Sequence, residues 1–295
     1  MKIAVTGASG LIGSALVPAL REQGHDVLRL VRRPARSADE ATWDPRGGAV
    51  DLARLAGTDA VIHLAGVGIA EHRWTTAHKS EIRRSRTQGT TTIARAVAAL
   101  DPAPSVLVSA SAIGFYGDTG ERAVDESAPA GQGFLADVVR EWETAADHAR
   151  DAGVRVVHPR SGLVMSRAGG AWGRMMPLFR LGLGGRLGSG RQYWSFISLL
   201  DEVRALSFLL DSDLSGPVNL TAPAPVTNAE MTRAMGAALH RPTVLAVPSL
   251  AITLALGELS TEVLSSARVL PAALQGAGFT FTHPDVGSAV ATLVT

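Results

Sequence analysis

The sequence predicts an α/β protein built on a doubly wound parallel sheet, with a smaller C-terminal lobe packed against it. Short apolar and β-branched runs alternate with longer helical patterns through the first half of the chain, as in parallel sheets whose strands are joined by helices. A glycine-rich turn follows the first of these runs. The chain has 295 residues, 46% hydrophobic and 19% charged, which suits a large core and excludes a disordered chain.

The composition excludes several classes of function. The chain contains no cysteine, so disulfides, Cys-based zinc sites, iron–sulfur clusters and thiol nucleophiles are absent. Lys and Arg total 28 against 27 for Asp and Glu, and this balance argues against nucleic-acid binding. No apolar run is long enough to span a bilayer, and the scattered histidines predict no metal site. We expect a cytoplasmic protein with a small-molecule partner; the oligomeric state stays open, with a homodimer among the alternatives.

The elements of the first half can be assigned in chain order. Residues 2–6 predict the first strand and residues 11–23 the first helix, which Gly24 ends. Further strands are predicted at residues 26–31, 59–65, 105–109 and 154–158, and further helices at residues 76–99 and 135–151. These units are enough for a doubly wound sheet.

The second half differs in composition, since residues 166–190 are rich in glycine and arginine. We predict helices at residues 172–181, 201–210 and 229–239, a strand at 217–221 and a strand-like segment at 279–281. Residues 1–165, completed by segments near 197–225, are then the first domain. Residues 166–196 and 226–295 are the smaller lobe, and no low-complexity linker separates the two.

The turn after the first strand has the spacing of a phosphate-binding loop. Gly7 permits a tight turn, Gly10 lets the backbone approach a pyrophosphate, and Gly13 lets helix and strand pack closely. The free amides at the helix N-terminus would hold the negative charge. We therefore predict a Rossmann-type dinucleotide site. Its loop residues are Gly7, Ser9, Gly10, Leu11, Ile12 and Gly13.

The end of the second strand indicates which dinucleotide binds. NAD-binding proteins place an acidic residue there for the ribose 2′-hydroxyl, whereas this chain has Arg32 and Arg33. A guanidinium suits the 2′-phosphate of NADP. The alternative is that both arginines are solvated loop residues. We predict NADP as the cofactor.

Motifs along almost the whole chain resemble one family. They are Thr6–Gly13, His63–Gly66, Ser85–Arg86, Gly89–Thr90, Ser109–Gly117, Trp142–Glu143, Gly182–Gly185, Gly188–Gln192, Pro217–Pro223, Gly257–Glu258, Leu270–Pro271 and Gly278–Phe279. The chain is similar to the extended short-chain dehydrogenase/reductases, and more closely to the atypical NAD-dependent epimerase/dehydratase (nucleoside-diphosphate-sugar epimerase-like) branch. The last motifs resemble that branch's small C-terminal domain of unknown function, here about residues 245–293. The resemblance implies further cofactor contacts at Leu64, Ala65, Gly66 and Ser109.

The superfamily's usual acid–base pair is absent from this chain. The family uses a tyrosine and a lysine in a Y-x-x-x-K spacing, in which the phenol transfers the proton. Neither Tyr116 nor Tyr193 has a lysine four residues later. Glu143 resembles the family's glutamate after the lysine, and counting back from it puts Leu135 and Val139 at the pair's positions. Sugar epimerisation by the standard route is therefore in doubt.

Three other residues are candidates for catalysis. Ser111 stands close to the family's catalytic serine, although a serine at a strand end can also cap a turn. Tyr116 resembles the tyrosine that borders the family's substrate pocket, and it would need a nearby cation to act as an acid or base; alternatively, it packs against the sheet. Lys79 shares the apolar stripe of the long helix with Arg86, so both are predicted to point toward the pocket unless they are cations at the margin of the stripe.

Substrate contacts are predicted in the second half as well as on the long helix. Arg86 on that helix, with Arg191 and Trp194 in the glycine-rich segment, would grip an anionic substrate. The alternative for the last two is a solvated loop. Ser198 stands three residues before Asp201, where the related pattern often has a histidine.

Two functions from different classes fit these observations. The first is an atypical NADP-dependent oxidoreductase or epimerase-like enzyme that acts on an anionic small molecule. The second is a catalytically silent NADP-binding sensor or regulatory protein. The missing Tyr–Lys pair favours the sensor, whereas Ser111, Tyr116 and the inward cations favour the enzyme.

Overall fold

The computed structural model describes residues 1–294. The strands are β1 Lys2–Thr6, β2 Asp26–Val31, β3 Glu40–Asp44, β4 Ala49–Val50, β5 Ala60–His63, β6 Val106–Ser109, β7 Ser111–Ala112, β8 Arg155–Ser161, β9 Leu163–Met165, β10 Gly185–Leu187, β11 Tyr193–Trp194, β12 Phe196–Ser198, β13 Gly216–Leu220, β14 Val226–Thr227 and β15 Leu245–Val247. The helices are α1 Gly13–Glu22, α2 Leu52–Leu55, α3 Thr76–Ala98, α4 Phe134–Thr144, α5 Asp147–Asp151, α6 Gly170–Arg180, α7 Leu199–Asp211, α8 Asn228–Leu239, α9 Ser249–Leu256, α10 Ser260–Leu264, α11 Ala272–Gly276 and α12 Val286–Val294. Two 3₁₀ turns cover Ile113–Tyr116 and Gly257–Leu259.

One large sheet organises the molecule. Its strand order is β13-β8-β6-β5-β1-β2-β3-β4, with β7 paired to β8. Every pairing in it is parallel except that of β3 with β4. The chain builds outward from β1 first on one side and then on the other, so the predicted doubly wound Rossmann-type sheet is confirmed.

Both faces of this sheet are buried, which is why its strands are almost continuously apolar. Ile3 and Val5 point to the face covered by α1 and α7. Ala4, between them, points to the face covered by α3. The alternation follows the two-residue period of a strand and gives the domain two cores.

The smaller lobe has a core of its own. Methionines and aromatic rings fill it, including Trp172, Met176, Phe196 and Met231, and α12 packs on α8. Leu274, from the C-terminal part, packs instead in the core of the large sheet. The two parts thus share packing, and the exact division of the chain into domains stays a prediction.

The structure differs from the sequence predictions in several elements. The helix predicted at residues 135–151 is two helices, α4 and α5. The strand predicted at 279–281 is not a strand; Phe279 and Phe281 pack edge to face, with ring centroids 4.9 Å apart, so apolar character there reflects aromatic packing. Strand β3 was not predicted, because its short sequence lacks an apolar run.

No helix within residues 1–294 combines the length and the apolar character needed to cross a membrane.

Candidate functional site

The carboxyl ends of β1, β5 and β6 lie side by side at the centre of the sheet. Their last residues, Thr6, His63 and Ser109, are in register across the three strands. The order in which the chain adds strands reverses here, since β2 and β3 lie on one side of β1 and β5 and β6 lie on the other. In doubly wound sheets, ligands bind in the crevice outside such strand ends.

Two of the loop glycines are required by the packing of the loop itself. Gly7 has φ +70, and a Cβ there would lie 2.8 Å from the carbonyl carbon of Leu64 and 2.9 Å from the amide nitrogen of Ala65. A Cβ on Gly13 would lie 2.2 Å from the Gly7 carbonyl oxygen. Gly10 is exposed, so its missing side chain leaves the outer face of the loop open. No side chain caps the N-terminus of α1, as an anion site there requires.

Thr6 joins the glycine loop to the segment after β5. Its Oγ1 accepts hydrogen bonds from the amides of Leu64 at 3.1 Å and Ala65 at 3.3 Å, and it lies 2.7 Å from Nδ1 of His63. Leu64 and Ala65 therefore lie beside the glycine loop, and the role of Leu64, Ala65 and Gly66 as cofactor contacts stays a prediction.

His63 and Ser109 add two buried polar atoms at the same edge. Nε2 of His63 and Oγ of Ser109 are buried, and neither has a hydrogen-bond partner among the described residues. Burial lowers the pKa of His63 to about 4. The imidazole is therefore neutral at physiological pH, which suits a structural role.

Arg32 and Arg33 have different environments. Arg33 makes two hydrogen bonds of 2.7 Å to the Glu40 carboxylate on β3. The Arg33 guanidinium, with a hydrogen bond from the Arg36 amide, lowers the pKa of Glu40 to about 2. Arg32 is exposed, and no described residue binds its side chain. Of the two arginines, Arg32 is free to bind a phosphate.

Ser111 and Tyr116 belong to one buried polar network. Oγ of Ser111 donates to Oε1 of Glu143 at 2.6 Å. Glu143 accepts two hydrogen bonds from Arg160, at 2.8 and 2.9 Å. Arg160 also donates to the Tyr116 hydroxyl at 2.9 Å, and that hydroxyl donates to Oδ1 of Asn219 at 2.8 Å. The structure thus brings two predicted catalytic residues into one hydrogen-bonded group.

Tyr116 has the nearby cation that an acid–base role needs, and that cation is Arg160. Burial raises the pKa of Tyr116, and Arg160 and Asn219 offset the rise only in part. The phenol is therefore protonated at neutral pH. Since its side chain is almost completely buried, this geometry also fits the packing alternative, and the catalytic role stays a prediction.

Apolar packing occupies the positions of the missing Tyr–Lys pair. Val139 is buried, and Leu135 packs against a cluster that contains Trp74, Ile82 and Leu259. Leu259 belongs to the C-terminal segment after α9. The C-terminal segment therefore packs over Leu135, one of the two positions where the family has its acid–base pair.

Lys79 and Arg86 have partners within the protein. Nζ of Lys79 lies 2.7 Å from Oε2 of Glu258 and 4.9 Å from the centroid of the Phe134 ring. Arg86 donates to the carbonyl oxygen of Val67 at 2.9 Å and lies over the Trp142 ring; burial lowers its pKa to about 10. Lys79 thus anchors the C-terminal segment, and Arg86 holds the segment after β5.

The predicted substrate residues of the second half lie apart. Arg191 is well exposed, with a weak 3.8 Å contact to Glu121. Trp194 lies inside the smaller lobe, edge to face with Trp172. Ser198 caps α7, and its Oγ lies 2.9 Å from Nδ1 of His283.

Glu202 was missed by sequence reasoning. It is completely buried, and its Oε1 accepts a 2.6 Å hydrogen bond from Ser161 at the carboxyl end of β8. Its Oε2 is buried with no partner among the described residues. Burial raises the pKa of Glu202 to about 7. The available signal was helical spacing, since Glu202 shares the apolar stripe of Leu206 and Leu209.

The fold and the glycine loop define a Rossmann-type protein of the short-chain dehydrogenase/reductase kind. The chain belongs to the NAD dependent epimerase/dehydratase family, whose model matches residues 3–220. A domain of unknown function, DUF1731, matches residues 247–293. The predicted family and its C-terminal domain are thereby confirmed.

Related proteins match the chain over nearly its full length. Epimerase family protein Mb2239 of Mycobacterium bovis is 52% identical over 98% of this chain and 96% of its own. Epimerase family protein SDR39U1 of Bos taurus is 36% identical over 98% of each chain. The crystal structure of human epimerase family protein SDR39U1 (isoform 2) with NADPH has a TM-score of 0.92 at 32% identity, covering 100% of this chain and 99% of that one.

The pKa of Glu202 predicts how stability depends on pH. Because the folded-state pKa of about 7 lies above the ordinary value of 4.5, the folded protein loses stability as pH rises between these values. Gln does not titrate, so Glu202→Gln should gain stability relative to the parent, by up to about 3 kcal/mol above pH 7. Urea unfolding at pH 4.5 and 8 measures this. Glu22→Gln, at an exposed position, is the control; a difference independent of pH contradicts the prediction.

Proposed function

We propose that the protein binds NADP(H) at the carboxyl edge of the sheet and uses it in hydride transfer to a small molecule. The observation that carries this proposal is the glycine loop. A side chain at Gly7 or Gly13 would clash with backbone atoms, and the absence of one at Gly10 leaves the outer face of the loop open. The uncapped N-terminus of α1 follows directly. A pyrophosphate fits this arrangement of free amides.

The preference for NADP over NAD rests on the end of β2. No acidic residue there is free to bind a ribose 2′-hydroxyl, because Glu40 is held by Arg33. Arg32 is exposed at the same strand end and suits a 2′-phosphate. The human SDR39U1 structure with NADPH supports the same cofactor for this chain.

The chemistry differs from standard epimerisation, since Leu135 and Val139 replace the usual pair. NADPH supplies a hydride when bound. Ser111 is the hydroxyl that we place at the substrate, because it lies at the strand end beyond Ser109 with Glu143 as its acceptor. Arg160 holds Glu143 in position, and Tyr116 in turn accepts a hydrogen bond from Arg160. Arg86, predicted to bind an anionic substrate, is held by the carbonyl oxygen of Val67, and Lys79, a candidate catalytic residue, is held by Glu258.

The second candidate is a sensor that binds NADP without turnover. The apolar packing of Leu135 against the C-terminal segment favours it, because no group there transfers a proton. NADPH oxidation against a panel of aldehydes and ketones separates the two functions. Turnover supports the enzyme, and tight binding without turnover supports the sensor.

The glycine loop gives the first test of cofactor binding. A Cβ on Gly10 would already lie 3.2 Å from the Gly7 carbonyl oxygen, and the methyl groups of Gly10→Val would occupy the approach to the loop amides. The Kd for NADPH, measured by fluorescence titration, should rise at least about hundredfold. Gly276→Val is the matched control, since a Cβ there meets nothing within 4 Å. Unchanged binding by Gly10→Val would show that the loop is only a turn.

Arg32 and Arg33 give separate predictions. Arg32→Ala should weaken NADPH binding about tenfold, equivalent to ~1.4 kcal/mol, and leave NADH binding unchanged. Arg33→Ala should instead lower stability, because it leaves the buried Glu40 carboxylate without its two strongest hydrogen bonds. Isothermal titration with both cofactors and urea unfolding measure the two effects. Equal affinity of the parent for NADPH and NADH would reject the assignment.

The catalytic roles of Ser111 and Tyr116 can be tested with any aldehyde or ketone that the protein reduces. Ser111→Ala should lower kcat at least about hundredfold with the Kd for NADPH unchanged. Tyr116→Phe also removes a hydroxyl from the network, and the acid–base prediction expects a comparable loss of kcat. If Tyr116 only positions Arg160, Tyr116→Phe should lower stability by about 1–2 kcal/mol and keep most of the kcat. Full activity of Ser111→Ala would remove Ser111 from the mechanism.

A further inference from the structure

The most exposed apolar side chains of the protein lie together in the smaller lobe. In the part of the chain that the structure describes, six large hydrophobic side chains are at least 50% exposed, and all six belong to residues 178–183 and 244–254. They are Leu178, Leu181, Leu183, Val244, Leu250 and Leu254. Exposed apolar patches that are larger than usual mark contact surfaces for proteins or membranes.

Two contacts join these stretches into one surface. Strand β10, which follows the first stretch, pairs in parallel with β15 in the second. Beside that pair, Nε of Arg241 donates to the carbonyl oxygen of Arg180 at 2.9 Å. Residues 178–186 and 241–254 together are called the exposed apolar surface below.

Helix α9 is the least covered element of the exposed apolar surface. Its eight residues, Ser249–Leu256, include no charged side chain, and only Ile252 is buried. Leu250 and Leu254 are four residues apart, so they project from the same side of the helix. A helix that is apolar on all sides is normally buried. The exposed side of α9 therefore calls for a partner that covers it.

The charge of the same region is strongly positive. Residues 166–200 and 226–256, which contain the exposed apolar surface, have seven arginines and one carboxylate, whereas the rest of the chain has 21 basic and 26 acidic residues. Arg180, Arg186 and Arg241 of the surface are exposed. Their only bonds within the described residues are to backbone carbonyls, and none forms a salt bridge. The surface therefore offers free positive charge beside its leucines.

This combination selects among the possible partners. A second copy that docked by the same face would bring like charges together across a two-fold axis. Tight protein interfaces depend on aromatic anchors, and leucine and valine are under-represented among the residues that carry their binding energy. The six most exposed apolar side chains include no aromatic ring. Protruding aliphatic side chains flanked by arginines suit a lipid surface, where acyl chains adapt to any apolar shape and phosphates bind guanidinium groups.

We propose that the exposed apolar surface docks reversibly on an anionic lipid bilayer. Val244, Leu250 and Leu254 enter the boundary of the acyl chains, and Arg180 and Arg186 contact lipid phosphates. The contact is peripheral, since no helix within residues 1–294 could cross a bilayer. It does not depend on the proposed cofactor or reaction.

Vesicle sedimentation with the full chain tests this docking. The protein should pellet with phosphatidylcholine vesicles that contain about 30% phosphatidylglycerol and stay in solution with phosphatidylcholine alone, because the arginines require a negative surface. Raising NaCl from about 50 to about 500 mM should weaken the binding at least about tenfold, because salt screens the phosphates. Absence of pelleting with the anionic vesicles would overturn the proposal, and so would equal pelleting with both.

Leucine variants locate the part that enters the bilayer. Leu250→Gln with Leu254→Gln should weaken vesicle binding at least about tenfold, because two leucines no longer leave water. The matched control is Leu52→Gln with Leu200→Gln, at positions 43% and 49% exposed and outside the surface, and it should bind as the parent does. Thermal unfolding by circular dichroism checks that both proteins fold. Equal losses in the two pairs would overturn the assignment to this surface.

Arginine variants test the charge. Arg180→Gln should weaken binding to the anionic vesicles about fivefold. Arg122→Gln makes the same change at another exposed position outside the surface and should leave binding unchanged. If both variants bind as the parent does, the contact of Arg180 with lipid phosphate is wrong.

Sedimentation velocity without lipid distinguishes a bilayer from a second copy of the chain. A concentration-dependent dimer that is lost on changing Leu250 and Leu254 to Gln would assign the surface to self-association and overturn the lipid proposal. An association state that is the same in the parent and in this variant supports the lipid assignment.

Discussion

The buried ion pair between Arg160 and Glu143 is the interaction on which the centre of the molecule depends. Both side chains are largely buried, and the Arg160 guanidinium also lies 3.4 Å from the centroid of the Phe115 ring. Removing either partner would leave an uncompensated buried charge, which typically costs about 3–5 kcal/mol. The pair connects β8 to α4 and, through Ser111 and Tyr116, holds the strand ends that border the proposed site.

A second constraint comes from the C-terminal segment. Leu259 packs with Trp74 and Ile82 beside Leu135, and Lys79 on α3 pairs with Glu258 of the same segment. The family domain at the C-terminus therefore covers the helix on which relatives of the superfamily carry an acid–base pair. Leu135, at one of those positions, and the segment that covers it are both apolar and pack in one cluster.

The partners of four cations show which of them is free to bind a ligand. Lys79 and Arg33 are each held by a carboxylate, and Arg86 is held by carbonyl oxygens. Arg32 remains as an exposed guanidinium at the strand end. Of these four cations, Arg32 is the one left free for an anionic group, such as the 2′-phosphate of the proposed cofactor.

The sequence alone determined the parallel sheet, the glycine loop and the loss of the Tyr–Lys pair. Periodicity and glycine spacing are local properties, and neither Tyr116 nor Tyr193 has a lysine at the required spacing. Tertiary structure alone decided the partners of the candidate residues. Glu40 reaches Arg33 from strand β3, which has no apolar run, Asn219 reaches Tyr116 across 103 residues, and Glu258 reaches Lys79 across 179. Such pairings depend on how separate elements pack against one another. The spacing of residues along the chain does not specify which tertiary partner a polar side chain will have.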